Sequence, residues 1–431
     1  MVTGVTTTSP DSATASAQVK RPTPTAFPYW ETMKRPRVRR VRKIAKRITG
    51  TDVFPTTEQI EAFCGDMYNS DPVAERFVDE VFLGAIGQEA GRAMLKRALD
   101  HGLGSIDDPP EAMVALFGEF EDVPEWVDPE LVEAGAQVWR RWGTFLFSVA
   151  GGETLEMYTE AAVATPLSLA GGYAGDNALR RFLETAKFWI DVSQPGALLT
   201  PGSQGRATAM MVRVMHVFVR RGVAKHPEWD ESRWGYPISQ AYQLLTLSGG
   251  SVVPALALWG VGVQTTPKEI NALIHFQRYM GYLLGIRNTW YPETLADTLR
   301  LLALVTFTRS HDAGTHGAEL IESFPRAFAP REGHTGLERL REQYNGMIYA
   351  AYSRLFMIPT TYARYDMPNA LPGLAWIFLR FPLVFAIETL RRIPPIGRVH
   401  ERWMVAHREN WYRAQMADRE AEFDASGALR R

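Results

Sequence analysis

Cysteine is nearly absent from this chain of 431 residues: Cys64 is the only one. No intrachain disulfide can form, and no thiolate zinc cluster or Cys-x-x-Cys redox pair is possible. Gly-x-Ser-x-Gly, the phosphate-binding loop, Gly-x-Gly-x-x-Gly and His-Glu-x-x-His are also missing. Their absence removes the usual nucleophile elbow, nucleotide cradles and helical zinc pair. Alternating strand patterns and hairpin signals are scarce, and no fixed-period repeat is visible, which argues against a solenoid. Residues 1–19 are polar and lack the apolar run of a secretory leader, and Arg39-Arg40 is followed by charge instead of apolar residues. The most apolar stretch, Leu371 to Ile387, contains Pro372, Arg380 and Pro382. It is expected to be a buried helix pair, with membrane contact the lesser alternative.

Charge is present but unevenly spread. The formal net charge is −1, yet residues 1–50 carry 11 Lys/Arg against 2 Asp/Glu. Lys34 to Arg47 packs nine basic residues into fourteen. Residues 1–50 are expected to be a disordered Ser/Thr/Pro-rich and basic arm, either simply solvated or attracted to an anionic membrane surface. No nucleic-acid fold follows it, so nucleic acid is the weaker partner. A cytoplasmic location, peripheral at a membrane, is the expectation.

From about residue 57 the pattern is helical, and residues 51–425 are expected to form one large all-α domain. Asp71-Pro72 and Asp128-Pro129 place proline in first helical turns. Breaks are expected at Gly102/Gly104, Pro109-Pro110, Gly151-Gly152, Gly171-Gly172, Pro195-Gly196, Pro201-Gly202 and Pro394-Pro395.

The most informative residue is His216, in the middle of a proline-free apolar segment from Arg206 to Arg221. On a 3.6-residue period its face also carries Ala209, Val212, Arg213, Val219 and Arg220. An imidazole in apolar surroundings bordered by guanidiniums suits an iron porphyrin, whose metal takes a nitrogen ligand and whose propionates take cations. A core histidine satisfied by a backbone carbonyl is the alternative. Upstream, Arg181 and Thr185 are four apart and share a face, as propionate or oxygen partners or as a surface pair. Downstream, Asn271, His275, Arg278, Tyr279 and Tyr282 share another face, too polar for packing alone. Gly281 and Gly285 there would admit a helix or a flat ligand. His311 and His316 do not complete a metal-ligand spacing.

These residues, taken in order, resemble the family of latex clearing proteins (rubber oxygenases) and MpaB-type oxygenases. The pieces are Val123-Pro-Glu-Trp126-Val-Asp128, Arg181-x-x-x-Thr185, Arg206-x6-Arg213-Val-Met-His216, Trp234-Gly-x-Pro237-Ile-x-Gln240 and His275-x-x-Arg278-x-x-Gly281-Tyr-Leu-Leu-Gly285. They cover about residues 110–300, with weaker similarity to residue 400.

The resemblance implies a globin-like helical core around a b-type haem, held without covalent attachment since Cys-x-x-Cys-His is absent. It implies His216 as proximal iron ligand, with Arg206, Arg213 and Arg278 binding the cofactor and Arg181, Thr185 and His275 in the catalytic set. Where rubber oxygenases can carry a lysine before the distal threonine, this chain has Glu184, so the distal face is expected to be open or water-filled. The family's catalytic glutamate has no match in register; Glu160 is the nearest acid. The activity implied is haem-dependent oxygenation of a small apolar, unsaturated substrate by O₂, with an unidentified electron donor. A haem peroxidase or monooxygenase, and a non-catalytic haem- or lipid-binding helical protein, remain as alternatives.

Overall fold

The computed structural model describes residues 22–171 and 177–416. The Ser/Thr-rich tail to residue 21, the Gly171-Gly172 break beyond Gly171 and the end of the expected 51–425 domain beyond residue 416 lie outside them. The fold is all-α: 71% of the described residues are helical, and no strand occurs among them. The helices that position the site and the surface discussed below are α1 (Pro36–Thr49), α2 (Pro129–Trp142), α3 (Thr144–Met157), α4 (Ala178–Val192), α5 (Gln204–Ala224), α6 (Gln240–Gly249), α7 (Pro267–Leu283), α8 (Gly336–Phe356), α9 (Leu371–Leu390) and α10 (Pro394–Met416).

Helix starts follow local chemistry. Asp128 caps α2 by accepting from the backbone N–H of Glu130 and Leu131, with Pro129 at the first helical position. Thr266 and Glu269 form a reciprocal capping box at α7. Ser203 caps α5 through the N–H of Arg206 at 3.2 Å. One contiguous core runs through α2 to α8 and includes Trp139, Trp142, Phe276 and Tyr352, each at most 1% exposed.

Three expectations are corrected. Gly151-Gly152 does not break the chain but lies inside α3. A Cβ on Gly151 would fall 2.2 Å from the Phe324 ring, and one on Gly152 would fall 2.7 Å from the Tyr352 carbonyl. These glycines are therefore there to let α8 and Phe324 close on α3. The basic arm is not disordered throughout. A short helix spans Tyr29–Lys34, anchored by Tyr29 at 1% exposure, and α1 follows. Finally, the Leu371–Ile387 stretch is one helix, α9, instead of a buried pair. Pro372 sits in its first turn, Pro382 lies within it, and most of its apolar side chains face outward.

Candidate functional site

His216 occupies the middle of α5, partly buried, with its ring against α6. Its Nδ1 lies 3.2 Å from Gln243 Oε1. The Gln243 amide is oriented from the other side, because its Nε2 donates to the Ile238 carbonyl at 3.3 Å. The oxygen therefore faces the imidazole, which must donate from Nδ1. Burial, followed by the positive charge of Arg220, pushes the His216 pKa down to about 4, so the ring is neutral at pH 7. A neutral ring protonated at Nδ1 carries its lone pair on Nε2. This is the form that ligates a metal, with the outer partner already in place.

The loop that makes this possible is strained. Ile238 has φ 48°, in the left-handed region that a β-branched residue avoids. Arg220, fully buried one turn after His216, holds the loop there. Its guanidinium donates to the carbonyls of Pro237 at 3.2 Å and Ile238 at 2.9 Å, and pairs with Glu75 at 3.1 Å. The chain from Glu75 through Arg220, Ile238 and Gln243 thus fixes the His216 ring. Strain of this kind costs on the order of 1–3 kcal/mol and is retained where surrounding bonds over-determine it.

The arginines expected on propionates mostly have protein partners. Arg213 binds Asp71 in a bidentate pair at 2.7 and 3.0 Å and also pairs with Glu119. Only its buried Nη1 lacks a hydrogen-bond partner, which leaves one donor for a ligand. Arg206 donates to the carbonyls of Leu198 and Phe120 and to the Tyr279 hydroxyl. Arg278 pairs with Glu293 at 2.8 Å and stacks on Trp126, 4.1 Å from the ring centre. Gly285, a candidate for close ligand approach, instead faces the ion pair: its Cβ would lie 2.1 Å from Asp71 Oδ2. Gln240 is structural too, tying the carbonyls of Ser70 and Gly285 together at 2.7 and 3.0 Å.

Helix register places Arg181 and Thr185 of α4 level with His216 of α5. Thr208 of α5 donates to Asp191 of α4 at 2.9 Å, which sets the register of this antiparallel pair. Counting back along α4 and forward along α5 places Arg181 opposite Phe218 and Thr185 opposite Val214. Arg181 is held by the buried Glu184 at 2.7 Å, and Arg180 approaches the same carboxylate at 3.4 Å. The Thr185 hydroxyl donates to the Arg181 carbonyl at 3.2 Å. His275 is not brought to the site. The charges around it are Asp128, Arg278 and Glu293, none of which neighbours His216, and burial lowers its pKa. His316 bonds Ser168 and Glu228, each at 2.8 Å, and no cluster of three metal-ligating side chains occurs among the described residues.

Gln243 and the cavity lined by Glu160 join the His216 region in ways that motif reading did not find. Glu160 accepts from the Ser310 N–H and hydroxyl at 3.1 and 2.9 Å through Oε2. Its Oε1 is buried without a partner, and burial pushes its pKa up to about 7. It lines a cavity of about 30 Å³ with Met157, Val163, Tyr242, Leu245 and Arg309, enough for a water. Tyr242 is the residue before Gln243, so α6 meets His216 through one side chain and the Glu160 cavity through the next. Glu153 has both oxygens buried and unpartnered, and burial raises its pKa well above the usual carboxyl range.

Residues 136–419 match the family described as ER-bound oxygenase mpaB/B'/rubber oxygenase, catalytic domain. A rubber oxygenase of Streptomyces sp. (strain K30) is 27% identical over 232 residues, 52% of this chain and 54% of that protein. The chain thus aligns with about half the length of that relative. A solved structure of latex clearing protein LCP in the closed state shares the fold with a TM-score of 0.56 and 20% identity, covering 82% of this chain and 92% of that one.

Proposed function

We propose that this chain, which belongs to the ER-bound oxygenase mpaB/B'/rubber oxygenase catalytic-domain family, is a haem b-dependent oxygenase acting on an apolar, unsaturated, isoprenoid or lipid-like substrate. The observation that carries the cofactor is His216: neutral, partly buried and fixed through Gln243 with its lone pair on Nε2. In this reading His216 holds the iron, and the remaining donor of Arg213, on the same helix face, is available to a propionate.

Haem, when bound, supplies O₂ binding and activation. The protein's part is orientation, exclusion of water and proton handling. Gln243 keeps the imidazole from rotating or changing tautomer. Apolar Met157, Val163 and Leu245 keep the cavity beside α6 dry apart from space for a water. Glu160, with a pKa of about 7, can accept or return a proton at Oε1 near neutrality. Cleavage of a carbon–carbon double bond by O₂ places one oxygen on each carbon as a carbonyl, so it balances without an outside reductant. Arg206, Arg278 and His275 are assigned structural roles here, and Arg181 and Thr185 border the face opposite His216. The exposed basic helix α1 is assigned to an anionic membrane surface, where apolar substrates concentrate.

A non-catalytic haem-binding protein is the second reading, favoured by the engagement of Arg181 with Glu184. Purified protein should show a Soret band that is lost in His216→Ala and kept in His316→Ala. Labelled O₂ with a polyisoprenoid should place both atoms in carbonyl products. One labelled atom would instead indicate a monooxygenase, and label in no product would favour the binding protein. Absence of haem uptake on reconstitution would refute the proposal.

A further inference from the structure

The outward side of α9 is a continuous apolar surface that nothing in the mechanism uses. Leu371, Trp376, Phe378, Leu379, Leu383 and Leu390 are all exposed, with Leu379 at 75% and Leu383 at 64%. At 100° per residue these positions cover an arc of about 160°, which the exposed Phe385 and Ile387 widen to about 200°, and no charged side chain lies on it. Scattered apolar residues are ordinary on a surface, but a continuous face of this length is not. The face extends onto α8 through Leu337, Leu340 and Tyr344, whose ring meets Trp376 edge-on at 6.4 Å. It extends past Ile393 onto the first turns of α10 through Ile396, Val399 and Trp403.

We infer that α9 is a membrane-docking helix that lies in the plane of a lipid bilayer, its apolar arc in the boundary between headgroups and acyl chains. The width of the arc argues for lipid. A partner helix, or α9 of a second copy, covers a stripe of about 100° and would leave half of the face in water. Fluid hydrocarbon covers all of it. The charge distribution matches: exposed Arg339 and Arg341 on α8, and Arg392, Arg398 and Arg402 after α9, rim the apolar face where headgroup phosphates would lie.

The helix lies on the bilayer and does not cross it, because its inner side is tied down by polar groups. Glu388, 3% exposed, accepts from the Gln264 N–H at 3.1 Å and pairs with Arg391 at 2.8 Å. Arg380 donates to the Tyr352 hydroxyl at 2.9 Å and stacks on Phe145. A spanning orientation would expose these groups to hydrocarbon. The inference does not depend on the haem reading.

The test is flotation of the full chain with phosphatidylcholine vesicles and with vesicles that also contain phosphatidylglycerol. Binding to both is expected, stronger with the anionic lipid, and tryptophan fluorescence should be quenched by lipids brominated on the acyl chain. The Leu379→Glu/Leu383→Glu double variant changes only exposed side chains, so it should keep the helical circular dichroism while vesicle binding falls about tenfold or more. Binding through α1 alone would vanish in high salt, whereas binding through α9 to neutral vesicles should survive it. Wild-type protein that floats with neither vesicle would overturn the inference. So would a double variant that binds like wild type, or a dimer abolished by the double variant with no lipid binding.

Discussion

Gln243→Leu is the sharpest perturbation of the site. Leucine is close to glutamine in size, so packing changes little, but both amide functions are lost. The Ile238 carbonyl keeps Arg220 at 2.9 Å. The loss therefore falls on His216, whose Nδ1–H is left without its acceptor. A buried donor in that position costs about 1–3 kcal/mol, so the apoprotein should lose that much in urea denaturation. The tautomer is then no longer fixed, and removal of such an outer partner lowers cofactor affinity roughly 10–100-fold. Haem titration of the apoprotein, followed by Soret absorbance, reads that loss directly. Gln243→Glu supplies an acceptor again and should restore haem uptake, at a higher His216 pKa. If Gln243→Leu loses stability yet takes up haem with wild-type affinity, the hydrogen bond is structural only. If neither quantity moves, the argument from ring orientation fails.

Proton linkage gives a second outcome. His216 has a folded pKa of about 4, below the ordinary 6.5, so its contribution is present above pH 6.5 and is lost as pH falls toward 4. The effect is ~3 kcal/mol at most, read as a flatter acid limb in His216→Gln denaturation curves. Glu160 runs the opposite way. Its folded pKa is raised to about 7, so stability is full below its unfolded pKa and declines as pH rises toward 7. Glu160→Gln should therefore raise Tm at pH 8 and change it little at pH 4; an equal shift at both would refute the assignment. Gly285→Ala places a methyl 2.1 Å from Asp71 Oδ2 at a residue with φ +75°. It should cost about 3 kcal/mol or more, and a neutral result in calorimetry would refute the close-approach argument.

The all-α class was legible because periodic apolar segments, proline first turns and Ser/Thr/Asp caps are local signals. What failed was what depends on distant partners. Gly151-Gly152 looks like a break, since the sequence does not show that Phe324 and Tyr352 arrive to fill the space beside it. Arg213 lies on the His216 face as read, but its guanidinium turns to Asp71, 142 residues earlier. Leu371–Ile387 reads as buried because apolar content alone carries no information about which side is covered. His216 and its helix were found from local pattern, but Gln243, 27 residues later, has no mark of its own. Glu153 and Glu160 become notable only once burial leaves their oxygens without partners.

Glu184 is the residue where the chain departs from the resemblance, and its surroundings explain how the departure is accommodated. At the level of His216 on the facing helix, a carboxylate at 6% exposure is neutralised by Arg181 and Arg180. To ligate iron it would have to leave two partly exposed guanidiniums without their partner, an unfavourable exchange. A lysine in its place would instead add a third cation to that pair. Position 184 and the two arginines therefore act as one electrostatic unit. On the proposed haem reading, Glu184 would stay with its two arginines and supply no ligand to the iron.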